Sequence, residues 1–165
     1  MIYLITVHDR KKRLSNIDKS SQLKTQVWKS INVLTSHKTL LYPLETFNAF
    51  DKKPLPNRVN IVFCSFHKVG KQSKVLTTKN IKEIVNTFAG KNEDIYVLGS
   101  TRQIVEQFAK CVDYIIDYST EELGYTAQCI FDTINFADYT LIKKTDEKYY
   151  TLRYFVREQN NRIGY

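Results

Sequence analysis

Two short stretches, Ile61-Val62-Phe63 and Ile95-Tyr96-Val97-Leu98, are continuous apolar runs without a polar residue. A strand with one face in water alternates, so an unbroken run reads as a strand buried on both faces. Such strands need helices above and below a sheet, and the neighbouring sequence supplies them. Between Ser20 and Leu34, the residues Leu23, Val27, Ile31 and Leu34 recur at spacings of 4, 4 and 3 and form one helical stripe. Asn80 to Phe88 places Ile81, Ile84, Val85 and Phe88 on one side of a second amphipathic helix.

The same rhythm extends over the chain. The segment MIYLITVHD reads as a first strand, and Lys38 to Tyr42 as a short one. A short helix follows Pro43, a residue suited to a first helical position. Gly99 ends the strand that starts at Ile95, and a helix opens at once with Ser100 as its N-cap and Gln103 three places on. Val112 to Tyr118 is a further strand. After Asp138 the alternating stretches YTLIKKT and KYYTLRYFVRE flank Asp146-Glu147 and read as an antiparallel hairpin. The expectation is an α/β fold: one domain over 1–165, with a mostly parallel twisted sheet flanked by helices and a C-terminal antiparallel hairpin.

Composition narrows the partners. The formal net charge of +8 favours anionic ligands. Arg10 to Arg13 is the one concentrated basic run, and no aromatic and basic residues are organised for base stacking, which argues against nucleic acid. No apolar run reaches the roughly 18 residues of a membrane span. The N-terminal segment puts its apolar residues before its charges, the reverse of a secretory leader, so a cytoplasmic location is expected. The three cysteines, Cys64, Cys111 and Cys129, have no metal spacing and are expected as buried thiols, with no metal site. His8, His37 and His67 are scattered and suggest no triad.

In an open α/β sheet, ligands bind beyond the carboxyl ends of the strands. IYVLGSTRQ presents a strand, a glycine and a helix N-terminus, which suits either a pyrophosphate or an ordinary strand–helix turn. PLPNRVNIVFCS joins an extended proline turn to Arg58 and a buried strand. Arg58 reads either as a surface residue or as a two-pronged donor to a carboxylate.

PLPNRVNIVFCS resembles the Pro-Leu-Pro-Gly-Arg-x-Asn-Ile-Val-Leu-Ser segment of dihydrofolate reductase. MIYLITV resembles the first strand of that family, and IYVLGSTRQIVEQF its Ile-x-Val-Ile-Gly-Gly-x-x-x-Tyr-Glu-Gln-Phe segment. TLLYPLETFNAF falls where the family has its Val-x-Met-Gly-Arg-x-Thr-Phe-Glu-Ser-Ile helix. The resemblance runs in order from residue 1 to about 126. It implies NADPH-dependent reduction of dihydrofolate to tetrahydrofolate. It implies that Arg58 holds the carboxylate of the folate tail, with Val27 and Ile31 beside the substrate. Gly99, Ser100, Thr101, Arg102 and Ser65 fall on the cofactor side.

The chain departs from the family around the chemistry. The buried acid that holds the pterin is replaced by Val27 in an ungapped count, or by Gln26 if the register shifts by one. Gln26, Asp18 and ordered water are the candidates to replace it, and Gln26 is the candidate catalytic residue. The threonine that supports the acid corresponds to Ile116. The Gly-Arg pair becomes Pro43-Leu44, and Glu45 adds a negative charge beside it. The Gly-Gly pair becomes Gly99-Ser100. The loop RKKRLSNIDKSSQLKT lacks the family's glycine, tryptophan and proline, while Trp28 lies in the helix. Two expectations follow. One is a divergent reductase with a folate-like substrate; the other is a catalytically silent member that binds a protein partner.

Overall fold

The computed structural model describes residues 1–11, 13–14, 22–64, 75–78, 80–89, 91–121, 128–129 and 134–158. Its frame is one sheet. The first strand, β1 (Ile2–His8), lies between β6 (Ile95–Leu98) and β7 (Tyr114–Ser119), parallel to both. β3 (Thr39–Pro43) pairs with β6 and β4 (Val59–Phe63), and β4 pairs with β5 (Val75–Thr78), all in parallel. On the other side β7 pairs antiparallel with β10 (Thr151–Arg157), which pairs antiparallel with β9 (Tyr139–Asp146). The resulting order is β5-β4-β3-β6-β1-β7-β10-β9. Two-residue strands, β2 (Arg13–Leu14) and β8 (Gln128–Cys129), pair with each other, and β2 also joins β1. The expected α/β class and the C-terminal hairpin are both present.

Among the described residues four α-helices connect the strands: α1 (Gln22–Leu34), α2 (Leu44–Ala49), α3 (Ile81–Ala89) and α4 (Arg102–Phe108). β1, β3, β6 and β7 carry buried residues on both faces, as unbroken apolar runs require. One core layer joins Val27, Trp28 and Ile31 of α1 and Phe47 of α2 to Ile5 and Tyr118 of the sheet. The opposite layer joins Ile84 and Phe88 of α3 and Ile104 and Phe108 of α4 to Leu4 and Ile115. Strand alternation separates these sets: Leu4 faces one layer and Ile5 the other.

Several boundaries differ from the sequence reading. Pro43 is the last residue of β3 and the N-cap of α2, not its first helical residue. Its extended backbone, with ψ at 162°, completes a ladder position opposite Phe63. The last parallel strand begins at Tyr114 rather than Val112, because Asp113 turns aside to accept a hydrogen bond from the Ile2 backbone N–H at 2.8 Å. The hairpin strand β9 continues through Asp146, and the turn closes with Glu147 N donating to Tyr150 O at 2.9 Å. β5 is an edge strand that the sequence reading did not contain.

Candidate functional site

The sequence places Leu55 between two prolines, and Asn60 holds that turn. Its Oδ1 accepts from the Leu55 backbone N–H at 3.0 Å, and its Nδ2 donates to the Leu55 carbonyl at 2.9 Å. One side-chain amide thus satisfies both backbone groups of a residue that the prolines keep out of any ladder. The Tyr42 hydroxyl donates to the same Oδ1 at 2.9 Å. Burial raises that phenol to about 12 from its ordinary 10.0, so it remains a donor at neutral pH. Asn57 takes a left-handed φ of 57° at the bend, a conformation that asparagine tolerates better than most residues.

This turn delivers Arg58 to the C-terminal end of α1. Its Nε donates to the Pro56 carbonyl at 3.1 Å, one terminal nitrogen to Thr35 Oγ1, and the other to Asn32 through both Oδ1 and the carbonyl oxygen. The guanidinium is therefore aimed, half-buried, along the flank of α1. It also borders a cavity of about 600 Å³ at the N-terminal ends of β3, β4 and β6, with His37, Lys38, Asn57, Glu93 and Asp94 on its walls.

At the other end of the parallel strands, Gly99 closes β6 against β1. Its N–H donates to the Ile5 carbonyl at 2.8 Å. A Cβ at this position would stand 2.9 Å from Leu4 Cδ1 and 3.1 Å from both Ile5 O and Val105 Cγ2. Close approach, not backbone conformation, is what demands glycine here. Ser100 is buried, and its Oγ lies 3.3 Å from Thr46 Oγ1 on α2. The cap of α4 falls one residue later than expected: Thr101 is the N-cap, its Oγ1 accepting from Ile104 N at 3.4 Å. Ser100 is drawn into the Thr46 contact instead. Arg102 is exposed and pairs through Nε with Glu106 Oε1 at 2.6 Å. Ser65, also expected on the cofactor side, lies outside the described residues, as does Asp18.

Helix α1 packs on the sheet between these two ends. Val27 and Ile31 are buried in the layer shared with Ile5 and Ile116, while Gln26 is half-buried beside them. Trp28 packs on Phe50, ring centroids 4.7 Å apart, and so bridges α1 to the end of α2. Glu45 is exposed on α2. Two carboxylates are buried among the described residues, Asp9 and Asp117. Asp117 alternates with Ile116 and Tyr118 and so points away from α1. There it accepts from Thr6 Oγ1 at 2.9 Å and meets His8 Nε2 at 2.9 Å and Arg153 at 3.2 Å. Asp9 accepts from Lys11 N at 2.9 Å.

The polar group that does reach α1 from the sheet was not anticipated. The Tyr118 hydroxyl lies 2.9 Å from Ser30 Oγ. Strand period carried the signal: Tyr118 stands two residues beyond Ile116 and therefore on the same face. Among the described residues no group of three or more His, Cys, Asp or Glu is placed to hold a metal. No described helix is long and apolar enough to cross a membrane.

The fold defines a class: a mostly parallel α/β sheet with an antiparallel C-terminal hairpin and helices packed on both faces. The dihydrofolate reductase family model matches residues 2–158. The chain belongs to the dihydrofolate reductase family. A dihydrofolate reductase of Ureaplasma parvum serovar 3 (strain ATCC 700970) is 28% identical over 82 residues, covering 50% of this chain and 51% of that protein. The match thus spans about half the relative's length. A solved structure, dihydrofolate reductase from Enterococcus faecalis complexed with NADP(H) and RAB-propyl, aligns with a TM-score of 0.77 at 22% identity. It covers 96% of this chain and 97% of that one. At that identity the likeness establishes the fold.

Proposed function

We propose that the chain binds NADPH and a folate-like substrate in the cleft along α1, and reduces dihydrofolate to tetrahydrofolate. The observation that carries this reading is the placement of Arg58. A proline turn held by Asn60 sets a guanidinium at the far end of α1 from Gly99. Guanidinium forks match carboxylates bidentately, and a folate tail ends in one. Its contacts to Asn32 and Thr35 hold it extended, ready for exchange with an anionic ligand.

Gly99 supports the cofactor side. Its bare backbone, where a side chain would collide with Leu4 and Val105, keeps the strand–helix turn tight. Gly99, Ser100, Thr101 and Arg102 would hold NADPH there, and NADPH supplies the hydride when bound. Val27 and Ile31 give the substrate an apolar wall, and Gln26 at its edge is available to hydrogen-bond but not to carry a proton.

One specific observation favours the second reading, a silent family member acting as a binding module. Asp117, a buried carboxylate of the central sheet, faces away from α1 and is taken up by Thr6, His8 and Arg153. Thermal-shift titration of the purified chain with NADPH, dihydrofolate and methotrexate tests ligand binding directly, because a ligand that binds the folded state raises its melting temperature. Stabilisation by NADPH and by methotrexate is the expected result. No shift with any of the three at millimolar concentration overturns both the cofactor and the substrate assignments, and leaves a macromolecular partner as the reading.

A further inference from the structure

Three tight turns meet at the N-terminal edge of the parallel strands, at the end away from Gly99. Each leads into its strand through a left-handed residue: His37 before β3, Asn57 before β4 and Asn92 before β6, with φ of 58°, 57° and 55°. Hydrogen bonds fix their positions. His37 N donates to Asn57 O at 2.7 Å and Val59 N to Lys38 O at 3.1 Å. The Met1 amino group donates to Glu93 O at 3.4 Å and pairs with Asp94 at 3.2 Å. Between the turns lies the cavity of about 600 Å³ that Arg58 borders, a size that suits a small organic ligand. Thr39 and Val59 line it and are register partners on β3 and β4. Strand period places both on the face of Leu41 and Ile61, the α3 side of the sheet. The Arg58 guanidinium instead lies against Asn32 and Thr35 at the end of α1, on the other face.

Two features suit this cavity to an occupant. Thr39 is only 4% exposed, yet its hydroxyl has no hydrogen bond among the described residues. A buried hydroxyl is costly unless something in the cavity meets it. Lys38 and Glu93, both exposed, bring opposite charges to the walls, and among the described residues neither has an ion-pair partner. Beside them Val59, 45% exposed, offers an apolar surface. We propose that the cavity binds a small zwitterion whose ammonium and carboxylate are separated along an apolar body, the chemistry of a dipeptide with an apolar side chain. Glu93 takes the ammonium, Lys38 the carboxylate and Val59 the side chain, and the Thr39 hydroxyl meets the peptide group, to which it can donate or accept. A ligand with one charge would satisfy one wall and be repelled by the other. A free α-amino acid holds its two charges too close together to serve two side chains that do not reach each other. The inference is independent of the substrate reading of α1.

Amide NMR spectra of the nitrogen-labelled full chain, titrated with Ala-Leu, test this, with N-acetyl-Ala-Leu and Ala-Leu amide as probes that each lack one charge. Saturable shifts are expected at Thr39, Val59 and Glu93. Each blocked probe should bind about tenfold more weakly, as loss of one charge-assisted contact does. Lys38→Met should weaken Ala-Leu about tenfold and leave the amide probe unchanged. Glu93→Gln should weaken Ala-Leu likewise and leave the acetylated probe unchanged. Both side chains are exposed, so these variants keep the fold. Thr39→Val, which removes the buried hydroxyl alone, should weaken all three probes. Absence of saturable shifts at these residues with millimolar Ala-Leu overturns the inference. Equal affinity for the three probes also overturns it, because the contact would then be apolar only. Loss of Ala-Leu binding in Arg58→Ala, with Lys38→Met and Glu93→Gln unaffected, overturns it as well and places the dipeptide against α1.

Discussion

Gly99 shows how one residue constrains the turn between β6 and α4. The atoms around its missing Cβ are a leucine methyl, a backbone carbonyl and a valine methyl. The carbonyl belongs to β1 and accepts the Gly99 N–H, so it cannot retreat without breaking that bond. Gly99→Ala is therefore expected to destabilise the fold by about 1–3 kcal/mol, the usual range for overpacking a tight interior. Urea denaturation should show the lowered midpoint with an unchanged slope. At Ser100 the side chain is already accommodated, because its hydroxyl faces Thr46 instead of the strand.

At the scale of elements, the sequence was most legible where periodicity was strong. The stripe through Val27, Ile31 and Leu34 identified α1 and its inward face, and burial of Val27 with Gln26 half-exposed follows from that stripe. β4 and β6 were readable because both their faces are buried. β5 was not: Val75-Leu76-Thr77-Thr78 is short, half polar and lies at the sheet edge, where alternation and burial signals fade. The two-residue β2 and β8 carry no period at all. The Tyr118–Ser30 contact depends on a strand and a helix 88 residues apart, which no local pattern encodes. The same holds for the link between β1, β7 and β10. Thr6, Asp117 and Arg153 are direct cross-strand partners, and His8 joins them at the buried carboxylate. Three strands thus share one anion. Asp117→Ala leaves a hydroxyl, an imidazole and a guanidinium without their acceptor, and should cost roughly 3–5 kcal/mol, as breaking a buried ion pair does. Equilibrium unfolding monitored by circular dichroism would measure it; a change below about 1 kcal/mol, the value of a surface pair, would show that β10 is held by its ladder alone.

Over the whole molecule, the two ends of the parallel strands carry different structures. The parallel strands converge their carboxyl ends on the turn at Gly99, while α1, running back across them, ends at Arg58. One helix therefore runs from Gln26 and Val27 to the guanidinium. Family membership and the sheet order account for that geometry. Steady-state oxidation of NADPH in the presence of dihydrofolate, for wild type and Arg58→Ala, is the most direct measurement. The account expects turnover by the wild-type chain and a KM for dihydrofolate raised roughly tenfold to a hundredfold in Arg58→Ala, with kcat much less affected, as loss of a charge-assisted contact to the substrate tail would produce. Absence of NADPH oxidation by a correctly folded wild-type chain would contradict it.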